Sequence, residues 1–196
     1  MNILTLADVE SPYLWNMSRP IRLRHVDLIL SCGDLDPDYL SFIATFNHAP
    51  ILYVHGNHDD RYAEHPPEGC TCIEDRIFCY QGVRILGLGG SIRYHDGENQ
   101  YTEAQMNRRI RRLWFSLHYH KGFDILLTHA PVFGVGDGKD LPHRGFQCFH
   151  KLLKQYEPSF MVHGHTHLNY TPLAPRKQQL YHTCVVNAYE RCLLTL

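Results

Sequence analysis

The chain has 196 residues, enough to bury one real core and too few for a comfortable second domain. Lys and Arg number 19 against 20 Asp and Glu, a formal charge of −1, so no global basic field draws nucleic acid or an anionic membrane surface, and any anion site must be local. Seven cysteines without a C-x-x-C pair fit neither a disulfide framework nor a zinc knuckle and suggest a reducing compartment, the cytoplasm by default; the opening MNILTLADVE has no basic leader region, and no apolar run approaches the roughly 20 residues of a membrane span.

In chain order, NILTLAD is a short apolar run that meets carboxylates at Asp8 and Glu10. HVDLILSCGD repeats the form and ends on Asp34; behind it Tyr39, Ile43 and Phe46 carry a helical spacing. PILYVHGNHD ends on Asn57 and His58, and CTCIEDRIFCYQGVRILGLGGS then reads as strand, turn and strand without an intervening helix. Met106, Ile110, Leu113, Trp114 and Leu117 fall on one predicted apolar stripe, which leaves RRIRR at Arg108–Arg112 as the solvated face of that helix. FDILLTHAP is the next strand, ending at His129. Phe146, Phe149, Leu153 and Tyr156 give a further helical pattern stopped by Pro158, and SFMVHGHTH ends on His165 and His167. TPLAPRKQQ reads as a surface loop, and QQLYHTCVVNAYERCLLTL as a closing strand–turn–strand. The pattern predicts an α/β fold of two mixed β-sheets packed face to face and flanked by helices, with residues 1–196 as a single domain.

Five of these strands share one kind of ending. Ligands bind beyond the carboxyl ends of strands in open α/β sheets, where loops diverge. Asp8, Glu10 and Asp34, with Asn57, His58, His129, His165 and His167, would bring three carboxylates, one amide and four imidazoles to one rim. Grouped carboxylates are costly unless cations neutralise them, and O and N ligands without thiolate suit Mn²⁺, Fe²⁺ or Zn²⁺. So many ligands exceed one ion's needs, whereas two ions bridged by one carboxylate use the whole set.

The blocks GD at Gly33–Asp34, GNHD at Gly56–Asp59, THAP at Thr128–Pro131 and GHTH at Gly164–His167, in that order after an Asp-ended first strand, resemble the calcineurin-like metallophosphoesterase family over nearly the whole chain. The resemblance implies a four-layer sandwich fold. It also implies that Asp34 bridges two divalent ions, with Asp8 and His167 completing the first site and Asn57, His129 and His165 the second. His58 resembles the family's catalytic histidine, off the metals and near the phosphoryl group, while His163 and His55 fall on no ligand position and read as structural. In such a site two cations neutralise the ester oxygens and lower the pKa of a bridging water, which attacks phosphorus in line as His58 protonates the leaving group. An acidic partner for His58 is left open between Asp36 and Asp38.

Competing phosphate chemistries are missing: GLGGSI has Ile92 where a dinucleotide fingerprint needs its last glycine, and neither a P-loop nor a G-x-S-x-G elbow occurs. The GGSIRY and DLPHRGF loops offer Arg93, His143 and Arg144 as substrate contacts through charge-assisted bonds. One position departs from the family: Glu10 stands where the first strand's histidine is usual. A carboxylate there would harden the first site towards Mn²⁺ or Fe²⁺. The alternative is a weakened site, as in non-catalytic interaction scaffolds with this fold. Retention of His58 favours the enzyme, acting on small, nucleotide-like phosphodiesters rather than nucleic acid; oligomeric state is not encoded in any motif.

Overall fold

A computed structural model describes residues 1–15, 23–169 and 174–196. Its first large sheet runs in the order β13-β1-β2-β3-β4, with β1 at Asn2–Ala7, β2 at Leu28–Ser31, β3 at Ile51–Tyr53, β4 at Cys70–Cys72 and β13 at Glu190–Thr195. The second runs β11-β12-β10-β9-β6-β5, with β5 at Arg76–Tyr80, β6 at Val83–Leu88, β9 at Ile125–Thr128, β10 at Phe160–His163, β11 at Lys177–Leu180 and β12 at Thr183–Asn187. A small pair, β7 at Ser91–Ile92 and β8 at Gln100–Tyr101, stands apart.

Side-chain alternation builds the layers, because successive residues of a strand face opposite sides of its sheet. On β1, Ile3 and Ala7 join Leu28, Leu30 and Leu52 in a core shared with Ile125, Leu127 and Val162 of the other sheet. Leu4 and Leu6 point the other way and cluster with Leu14 of the short helix α1, Pro12–Trp15, and with Tyr39, Leu40 and Ile43 of helix α2, Pro37–Phe46. Leu126 and Met161 cover the outer face of the second sheet against α3, Glu103–Arg112, and α5, Cys148–Tyr156. Two mixed sheets flanked by helices are therefore present, four layers deep.

Local rules account for the helices. Asp36 caps α2 by accepting the Asp38 N–H, with Pro37 in the first turn, and Thr102 and Gln105 form a reciprocal capping box on α3. Two expectations need correction. The stripe from Met106 to Leu117 is not one helix: it breaks at Leu113, and α4 restarts at Trp114–Tyr119 with Trp114 at 66% exposure, on the solvent side. Nor is RRIRR wholly solvated, for Arg109 is buried, its guanidinium bonded to Glu74, to Asp75 and to the Gly89 carbonyl. These partners compensate the burial of its charge. Residues 171–173 of the expected surface loop lie outside the described residues, and its Lys177–Gln179 portion belongs to β11.

Candidate metal centre

The parallel strands β1, β2 and β3 of one sheet and β9 and β10 of the other end at the same edge of the sandwich. Their loops are stitched across the gap. The Asp8 N–H donates to the Gly33 carbonyl, the His165 N–H to Asp8 Oδ1 at 2.8 Å, and the Gly164 N–H to the His129 carbonyl. Close approach requires glycine at two points: a Cβ on Gly33 would lie 2.1 Å from the Gly56 nitrogen, and one on Gly56 2.0 Å from Asp34 Oδ1. Asp8, Asp34 and His165 all adopt left-handed backbone, at φ 65°, 56° and 66°, a region that non-glycine residues seldom enter and that clusters at functional sites.

The ligand-type atoms converge on His129 Nε2. Asn57 Oδ1 lies 3.0 Å from it, His165 Nδ1 3.1 Å and Asp34 Oδ2 3.4 Å. The outer nitrogen of each imidazole is tethered to a backbone carbonyl: His129 Nδ1 donates to Cys32 at 2.8 Å and His165 Nε2 to Pro142 at 2.6 Å. Each ring, when neutral, thus turns its bare lone pair inwards, the tautomer a metal requires. Four lone-pair atoms facing one another are repulsive unless a cation or proton lies among them. Asp8 Oδ2 adds to the case, being buried without a hydrogen-bond partner among the described residues.

The electrostatics carry the same message. Burial pushes the Asp8 carboxyl up to about 7, with Asp34 adding to it and His129 opposing. Burial pulls His129 down, yet the carboxylates of Asp34, Asp8 and Asp59 outweigh it and raise the group. His165, buried beside His129, is held well below the usual histidine range. Positive charge is wanted at the centre, and the residues fit divalent ions.

Asp8, Asp34, Asn57, His58, His143, His165 and His167 line one cavity of about 480 Å³, with Tyr94 and Pro142. His58 is exposed on its rim, its backbone N–H donating to Asp34 Oδ1 at 2.8 Å. The rings of His167 and Tyr189 pack at a tilt of 41°, their centres 5.1 Å apart. His143 bonds Asp140 at 2.6 Å. Glu10, Arg93 and Arg144 do not line this cavity: the Glu10 carboxylate accepts the Trp15 indole N–H at 2.7 Å, and both arginines are exposed. Asp36 pairs with Arg61 and Asp38 with His65, so neither of the two carboxylates is paired with His58.

Two residues escaped sequence reasoning. Tyr94 lies next to the expected Arg93, and its hydroxyl accepts from Asn57 Nδ2 at 3.2 Å. Asp59, the last letter of GNHD, accepts the N–H groups of Asp34 and Gly56 through one oxygen. The motif contained the signal for Asp59, though not its partners.

Fold and centre together define a metal-dependent phosphoesterase architecture. The calcineurin-like phosphoesterase profile matches residues 5–169, and the chain belongs to that family. Its backbone is similar to that of TT1561 of Thermus thermophilus, with a TM-score of 0.63, 17% identity and coverage of 96% of this chain and 89% of that one. It is also similar to 5'-nucleotidase from Candida albicans, with a TM-score of 0.59, 13% identity and coverage of 95% of this chain and 45% of that one. No curated protein matches by sequence. Among the described residues, no helix is long and apolar enough to cross a membrane.

Proposed function

We propose that the protein hydrolyses small, nucleotide-like phosphodiesters at a centre of two divalent ions, Mn²⁺ or Fe²⁺ before Zn²⁺, bridged by Asp34. The observation that carries this reading is the meeting of Asn57 Oδ1, Asp34 Oδ2 and His165 Nδ1 around His129 Nε2, with Asp8 Oδ2 buried and, among the described residues, unpartnered. Asp8 and His167 would hold the first ion, and Asn57, His129 and His165 the second. Such ions supply charge neutralisation for the phosphoryl oxygens and acidify water.

The chain's own residues do the rest. Cys32 and Pro142, through their carbonyls, fix both imidazoles so that no reorientation is needed on ion binding. Asp34 Oδ1 holds the His58 backbone, which supports His58 at the rim as the donor of a proton to the departing alkoxide. The place of His143 in the cavity lining supports a phosphate contact there. Glu10, whose carboxylate accepts the Trp15 indole N–H away from the cavity lining, is assigned to that bond rather than to the first ion.

The test is a panel of bis-p-nitrophenyl phosphate, p-nitrophenyl phosphate and cyclic nucleotides with added Mn²⁺. Turnover of the diesters above the monoester is expected. No turnover of any of them would replace the enzyme by a non-catalytic interaction scaffold.

A further inference from the structure

A second and larger cavity, about 590 Å³, opens beside the metal centre and shares His143 and His167 with it. Its size lies within the range of small-molecule sites. His163, a residue with 1% exposure, is part of its lining. Its Nδ1 donates to the Gly164 carbonyl at 2.9 Å, which leaves Nε2 as an acceptor, and that atom has no hydrogen-bond partner among the described residues. It faces Gly136: a Cβ built there would come within 2.8 Å of His163 Nε2 and 3.9 Å of Gln178 Nε2. Only a residue without a side chain leaves this approach open.

Donors line the same cavity as this acceptor. Arg176 Nη1 is anchored by the carbonyls of Asn187 and Tyr189 at 3.0 and 2.9 Å, and no carboxylate pairs with the guanidinium among the described residues. The Gln178 side-chain amide likewise has no partner there. Leu168, Pro175 and Val185 supply apolar wall.

We propose that this cavity takes the organic group esterified to the phosphate, and that this group is a nucleobase, a flat heterocycle whose edge sets an N–H donor beside an acceptor. The inference rests on the phosphoesterase reading of the adjoining centre. A second phosphate offers acceptors alone and would oppose the His163 lone pair and the Asp137 carboxylate. An alkyl group would cover the Gln178 amide and the Arg176 N–H groups other than Nη1 without giving them acceptors. A free sugar could meet the polar groups but would leave the apolar wall uncovered. A base edge bonds His163 Nε2 through its N–H and accepts from Gln178 or Arg176, while its faces lie on Leu168, Pro175 and Val185.

Nucleosides test this without any phosphoryl chemistry. Adenosine, cytidine, inosine, uridine and ribose would be titrated calorimetrically into the protein. At least one nucleoside is expected to saturate below about 1 mM, tighter than ribose, and Gln178→Leu to weaken it about tenfold or more, since a buried polar edge is left unpaired. His163→Phe should act likewise, and Gln178→Leu on the partly exposed strand β11 keeps the test valid if that variant does not fold. No saturation by any nucleoside, ribose binding as tightly, or a Gln178→Leu affinity within twofold of wild type would overturn the proposal. Because nucleosides carry no ester, their binding and the turnover of bis-p-nitrophenyl phosphate can fail separately.

Discussion

The side chain of Asp59 holds the backbone of Asp34 in place: Asp59 Oδ2 accepts the Asp34 N–H at 3.0 Å, and the same oxygen takes the Gly56 N–H at 2.6 Å. The two motif loops of the first sheet thus hang on one buried atom. Asp59→Ala would leave both N–H groups unsatisfied, at about 1–3 kcal/mol each, so a stability loss of roughly 2–6 kcal/mol is expected. Asp59→Asn keeps an acceptor and removes a carboxyl whose pKa burial and Asp34 raise to about 6, and should stay much closer to wild type. Urea unfolding of the metal-free protein compares them; equal losses would mean that charge rather than the two bonds matters.

His129 and His58 should separate cleanly. His129→Ala deletes the atom on which the other ligands converge and is expected to lose metal and activity together. His58→Ala should keep the metal and lose roughly 10²–10⁴-fold in rate on alkyl phosphodiesters, with a smaller loss where p-nitrophenolate leaves without a proton. Metal analysis beside kinetics on both substrate types decides it, and equal kinetic losses would remove His58 from the acid role.

Glu10 is held by Trp15 at 2.7 Å, away from the cavity lining. Glu10→Gln keeps an acceptor for the indole, and we expect its Mn²⁺ content and affinity to equal those of wild type. Glu10→Ala should alter Trp15 fluorescence with the metal still unchanged. Loss of one equivalent in Glu10→Gln would return the residue to the first ion.

Far from the site, Asp124 accepts from Arg84 Nη2 at 2.6 Å, from Arg84 Nε at 3.0 Å and from the Arg84 backbone at 2.8 Å. The Arg84 guanidinium hydrogen bonds hold this carboxyl below its ordinary range. A depressed carboxylate contributes stability that is present above its unfolded pKa, about 3.9, and disappears as pH falls through the folded value. Asp124→Asn should therefore lower Tm by roughly 2 °C at pH 7, a small figure because the pair is partly solvated, and the gap should close towards pH 3. A gap independent of pH would assign the effect to packing.

Strand endings made the centre legible. Asp8, Asp34, Asn57, His129 and His165 each follow a short apolar run, and period-two alternation in those runs is what presses the two sheets together. What stayed hidden depends on partners remote in sequence. Nothing near Arg109 announces that Glu74 and Asp75 lie beneath it, and nothing near Trp114 shows that the helix restarts there with its ring outside. Glu10 illustrates the same limit, since a position in a motif does not reveal that an indole five residues on will take its carboxylate. His163 read as structural, and only the cavity beside Gly136 gives its second nitrogen a use.

The place of β1 in its sheet governs when the centre can mature. The strand that delivers Asp8 lies between β2, close behind it in sequence, and β13, to which the Thr5 hydroxyl reaches across 187 residues to bond the Cys192 carbonyl at 3.1 Å. Until residues 190–195 arrive, that strand has one neighbour instead of two, and pairings so distant in sequence form slowly. Every other proposed ligand precedes this closing strand. Ion capture would then come late in assembly, making the metal a seal on the finished sandwich rather than a nucleus for it.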